Sequence, residues 1–172
     1  MSKATKMVAA LAMAMGFSSV ALFNTAQAET NHSVIFKFNT SDLPSTVVSK
    51  INFSYSGYTE LSNGSKLWMH QSKQLSNGLQ VTMTKMPPDV PFKFHAFASG
   101  FHAQLGTTVY TNDQSEAENL GKIIPAGTKA CTLANDYSAG VYSVTMHALK
   151  LSGGTLKGIH VYYLTCDIQK TS

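Results

Sequence analysis

The chain has no arginine. Its 13 basic residues are all lysine, against 9 acidic ones, and charged residues make up 13% of the 172 positions, where roughly 25% is usual. Without guanidinium groups, the planar fork that reads phosphate and guanine is missing. A net charge of +4 is also too small for an electrostatic footprint on a polyanion, so no nucleic-acid partner is expected. Catalytic signatures are equally sparse: there is no G-x-S-x-G elbow, no H-E-x-x-H, no Gly-rich phosphate loop, no EF-hand loop and no C-x-x-C. The 9 Asp and Glu form no evident pair for glycoside hydrolysis. These gaps favour a non-catalytic protein without a cofactor, with a small secreted enzyme or a His/Met metal-binding protein as the alternative.

What is present begins with the front segment. Lys3 and Lys6 precede an apolar run from Met7 to Phe23, and Ala26-Gln27-Ala28 closes it. A charged n-region, an apolar h-region and an A-x-A site predict a secretory signal peptide over 1–28, cleaved after Ala28. The run is diluted by Gly16, Ser18 and Ser19, and no later stretch is long or apolar enough to span a bilayer. No transmembrane segment is therefore expected after cleavage. Residues 29–172 then form a single domain with a sizeable core, and losing Lys3 and Lys6 lowers the net charge from +4 to +2. The expected location is secreted or periplasmic, and the lysine-only basic set points to a bacterial exported protein. In an oxidising compartment Cys131 and Cys166 predict one disulfide, closing a loop of about 36 residues and stabilising the fold by roughly 3–4 kcal/mol.

Period-two alternation recurs along the rest of the chain, while helical periodicity hardly appears. Strands are predicted at Val34–Phe38, Val48–Tyr58, Lys66–Gln74, Leu79–Lys85, Phe92–Ala98, Thr107–Thr111, Thr128–Leu133, Val141–Lys150 and Leu156–Cys166. Gly, Pro, Asn and Ser separate them. This spacing predicts an all-β fold, an antiparallel β-sandwich of immunoglobulin-like or jelly-roll-like form. One short helix is expected near 113–120, from Asp113 as N-cap, Glu116 three residues on and Gly121 past the end. The same pattern makes Asp113, Glu116 and Glu118 a helix start rather than a cation site. Both parities of Ile159–Leu164 are largely apolar, as suits a strand covered on both faces.

Two near-copies, Leu61-Ser62-Asn63-Gly64 and Leu75-Ser76-Asn77-Gly78, carry the Asn-Gly signal of a type I′ hairpin. Taken as two-residue loops, with a four-residue turn at Pro87–Val90, they predict a four-stranded meander over about 48–98. Thr59 then faces Trp68, Gly57 faces His70, Ser72 faces Met83 and Met83 faces Phe94. One face collects Ile51, Phe53, Tyr55, Trp68, Val81, Met83, Phe94 and Ala96. The other collects Ser54, Ser56, Gln71, Lys73, Thr82, Thr84, Lys93 and His95.

Parity leaves Phe97 on that outer face beside His95, with Phe101 following in a Gly-flanked loop. Tyr58, Leu67 and Met69 fall on the same face. An aromatic side chain placed in solvent calls for a covering element or a partner. The candidate contacts are therefore Tyr58, Met69, His95, Phe97 and Phe101. They support an exported binding domain that meets a protein, glycan or envelope partner through its outer sheet face and loops, with a structural subunit of a surface assembly as a further alternative. The metal candidates His32, His70, His95, His102, His147 and His160 show no zinc-ligand spacing, so no metal site is predicted.

Overall fold

The computed structural model describes residues 32–87, 92–154, 156 and 158–172. The expected leader at 1–28 and the centre of the Pro87–Val90 turn lie outside the described residues. Strands take up 53% and helices 7% of the structure, which makes this a β protein. The elements are β1 (Ser33–Asn39), α1 (Ser45–Val48), β2 (Asn52–Glu60), β3 (Lys66–Gln74), β4 (Gln80–Lys85), β5 (Lys93–Ala98), β6 (His102–Leu105), β7 (Thr108–Thr111), α2 (Gln114–Asn119), β8 (Asn135–Tyr137), β9 (Gly140–Lys150) and β10 (His160–Lys170).

The strands form one large sheet in the order β4-β1-β9-β10-β7-β6-β2-β5-β8, with β3 on the other edge of β2. The sheet is mixed, not purely antiparallel, because β1 lies parallel to β9 and β7 parallel to β10. Parallel neighbours need a crossover, and both pairs join strands distant in sequence. Among the described residues a single strand pair, Asn52 opposite His102, links the β2-β3-β5-β8 arm to the rest of the sheet.

The meander is the main correction. β2 and β3 do pair, but with Tyr58 opposite Trp68 and Gly57 opposite Met69, one residue off the predicted register. The connection between them runs over 61–65: Asn63 Oδ1 accepts from Ser65 N at 2.9 Å and Ser65 Oγ at 2.6 Å, and Gly64 takes φ 79°. Asn63 thus works as an Asx turn rather than as the first residue of a type I′ pair. Shifting a strand by one residue exchanges its faces, so Trp68 points outward and is 60% exposed.

The second Asn-Gly makes no hairpin at all. Leu75 is 1% exposed and its N–H donates to Ile51 O at 2.8 Å, which buries the end of β3 in the core. Asn77 Oδ1 then accepts from Thr40 N, and Gly78 N donates to Phe38 O. The chain crosses to β1, so β4 pairs with β1 and β5 pairs with β2. The inward residues of β2, β4 and β5 were nevertheless read correctly: Phe53, Tyr55, Val81, Met83, Phe94 and Ala96 are all buried.

Aromatic rings from strands far apart on the hydrogen-bonded path meet in one core. Phe38 lies 5.2 Å from Phe53, Phe36 4.9 Å from Tyr137, and Phe53 4.8 Å from Phe101. The sheet therefore curls around a shared interior, and burying each such ring contributes about 1.5–3 kcal/mol. A smaller cluster of Val109, Ala117, Leu151, Val161 and Tyr163 packs α2 against the opposite face. This is why β10 is apolar on both sides. Asp113 caps α2, accepting from Ser115 N and Glu116 N, as its sequence pattern predicts.

Cys131 and Cys166 are disulfide-bonded, with Cα atoms 4.7 Å apart. The predicted strand at Thr128–Leu133 is instead a connecting segment, held to β10 by that bridge and by Cys131 N donating to Leu164 O at 2.7 Å. Among the described residues no helix is long and apolar enough to cross a membrane.

Candidate functional site

The outward face of the β3-β2-β5-β8 arm carries three cross-strand rows. The central one runs Trp68, Tyr58, His95, Asp136, each directly opposite the next on adjacent strands. Above it lie Lys66, Glu60 and Lys93, and below it His70, Ser56 and Phe97. Directly opposite side chains in a sheet stand close enough to interact, and the rings of the central row do. Tyr58 lies 5.0 Å from Trp68 at an interplanar angle of 52°, and 5.8 Å from His95 in a stacked geometry. Lys66 Nζ sits 4.3 Å from the centre of the Tyr58 ring. Tyr58 is thus clasped on several sides and fixes the indole, whose remaining surface faces solvent.

The row ends in an ion-paired corner. His95 Nδ1 lies 3.1 Å from Asp136 Oδ1, and Lys93 Nζ 3.5 Å from Asp136 Oδ2. The hydrogen bond with His95, reinforced by the charge of Lys93, holds the Asp136 carboxyl below its ordinary range. The four charges of this face, Lys66, Lys93, Glu60 and Asp136, cancel.

Beside Trp68 a cleft of about 380 Å³ opens between β3 and β4. Leu67, Trp68 and His70 form one wall, Thr84 and Lys85 the other, and Thr59 lines it as well. The Thr59 and Thr84 hydroxyls meet at 3.4 Å. Leu67 is 55% exposed at its mouth, whereas Thr59, Thr84 and Phe94 at its inner end are buried.

Of the predicted contacts, Tyr58, His95 and Phe97 sit on this face, each half-buried. Two others do not. Met69 packs against the main core, because the one-residue register shift turns it inward. Phe101 is fully buried, since Gly100 at φ 110° turns the chain and stacks the Phe101 ring on Phe53. Its N–H is held by Asn112 Oδ1 at 2.8 Å. Trp68 and Asp136 were missed. Ser65, two residues after Asn63, was the signal for an Asx turn, and reading it would have placed Trp68 outward.

Elsewhere His147 bridges two carboxylates, with Nδ1 2.5 Å from Asp42 and Nε2 3.3 Å from Asp167. Among the described residues no group of three or more His, Cys, Asp or Glu is arranged to hold a metal ion. No protein-family model, curated protein or solved structure matches the chain.

Proposed function

We propose that this chain is an exported, non-catalytic recognition domain, delivered to the periplasm or the exterior by the 1–28 leader and folded as a two-layered β-sandwich whose outer face engages a partner. The observation that carries this reading is Trp68. A tryptophan 60% exposed on a paired strand and backed by Tyr58 is costly to leave in water, and such side chains dominate the energetics of recognition. Its mounting on hydrogen-bonded strands keeps the surface pre-organised, which lowers the entropy lost on binding. The disulfide and the lack of a membrane-crossing helix among the described residues support the exported setting. Lysines at both ends of the β3 edge, Lys66 and Lys73, disfavour strand-to-strand assembly and so weigh against a fibre subunit.

The chain has 1 Trp, so tryptophan emission reports this face alone. With the emission of extract alone subtracted, mature protein mixed with cell-envelope extract should show blue-shifted emission and reduced quenching by acrylamide, and Tyr58→Ala should weaken both responses. Unchanged quenching across envelope and extracellular-matrix extracts refutes the recognition face.

A further inference from the structure

We infer that the Trp68 face forms a carbohydrate subsite for a neutral sugar. This rests on the recognition reading above and names the chemical class of its ligand. A pyranose has one face lined by C–H groups and a rim of hydroxyls. It is recognised by an exposed aromatic plane flanked by small hydrogen-bonding groups that donate and accept in turn. Trp68 supplies the plane and is held from behind by Tyr58 at 5.0 Å.

The rim is of the required kind. His70 stands beside the indole on the same face, and the Asp136 carboxylate with Lys93 closes the far end of the row.

Charge decides between a sugar and a charged partner. Lys66 and Lys93 stand beside Glu60 and Asp136 in cross-strand register, so the described charges of this face balance. A polyanionic glycan, an acidic peptide or a basic peptide would each meet as much repulsion as attraction there. A neutral, hydroxyl-rich ligand loses nothing to that balance. Further along the arm Ser54 Oγ meets Ser99 Oγ at 3.2 Å, which extends uncharged polar chemistry along the sheet.

The test is a titration of mature protein with neutral β-linked gluco-, manno- and N-acetylglucosamine oligosaccharides, read by Trp68 emission and by calorimetry. At least one series should saturate at micromolar to millimolar concentration. Trp68→Ala should bind about thirty-fold more weakly by calorimetry, and Trp68→Phe should retain part of the affinity. Because the indole is exposed, both variants should melt with the wild type. No saturation by any series up to several millimolar, or equal binding by Trp68→Ala, overturns the sugar assignment. A parallel arm separates this failure from that of the recognition face. Envelope extract treated with periodate, which cleaves the vicinal diols of gluco- and manno-residues, and with a chitinase and a muramidase, which cut the N-acetylglucosamine chains that lack them, should lose its protection of Trp68, while protease-treated extract should keep it. Protection that survives these treatments and is lost to protease would leave the face as a recognition surface and refute the sugar.

Discussion

Breaking the Cys131–Cys166 bridge tests the fold where sequence and structure agree most closely. The two cysteines are 35 residues apart. Closing a loop of about 36 residues removes roughly 13 cal/mol/K from the unfolded ensemble, or about 3.8 kcal/mol at 25 °C. The native contacts around the bridge do not depend on it: Cys131 N still donates to Leu164 O, and Asn112 Nδ2 to Cys131 O at 2.6 Å. The reduced protein should therefore fold to the same structure with less stability. For a domain of this size each kcal/mol is worth about 3–4 °C, so the melting point should fall by about 11–15 °C. The urea midpoint should drop by about 2 M for a slope of about 2 kcal/mol/M, and that slope should rise because the uncrosslinked chain expands further. Comparing oxidised and reduced wild type keeps every side chain in place. A Cys131→Ala/Cys166→Ala variant adds about 1 kcal/mol for the void left at fully buried Cys131. A difference below about 1 kcal/mol between the redox states would refute the loop-entropy account.

Phe101→Ala should destabilise by about 3–5 kcal/mol, because it empties a site stacked on Phe53, whereas Phe97→Ser on the outer face should cost under about 1.5 kcal/mol; urea titration of both checks the ordering. Gly57→Ala should destabilise by about 2–3 kcal/mol, since an added Cβ would lie 2.6 Å from the backbone oxygen of His95 and collide with the Phe94 ring; equal melting points would show that β2 and β5 are not so closely apposed. At high pH, burial raises the Tyr55 phenol to about 12 and pushes Tyr137 up as well. A raised phenol favours the protonated folded state, so this stability is full below pH 10 and disappears as pH climbs through about 12. Phenolate absorbance should then show Tyr55 ionising together with alkaline unfolding, and ionisation near pH 10 in the folded state would contradict its burial.

Local chemistry was legible in the sequence wherever one segment decided the outcome. Asp113 capped its helix, the alternation in β2, β4 and β5 named the buried side, and the cysteine count gave the bridge. Pairing was not legible, because it is a property of two segments at once. Asn63-Gly64 and Asn77-Gly78 look alike, yet one closes a hairpin through an Asx turn and the other ends a crossing fixed by the burial of Leu75. The outer-face site inherited this error. Tyr58 and His95 follow the parity of their own strands, whereas Trp68 depends on a register set by a connection over 61–65 in place of a two-residue type I′ turn at 63–64.

The parallel pairing of β1 with β9 sets an order of events. Val34 lies opposite Gly140, so the first strand has β4 on one side and must wait for a segment about a hundred residues later to cover the other. Folds dominated by such distant pairings close slowly. During synthesis β1 has only β4 to pair with until β9 has emerged, and the sheet stays incomplete until then. That delay acts as a built-in timer, and the Cys131–Cys166 disulfide locks a sheet that is completed only once β9 and β10 have been made.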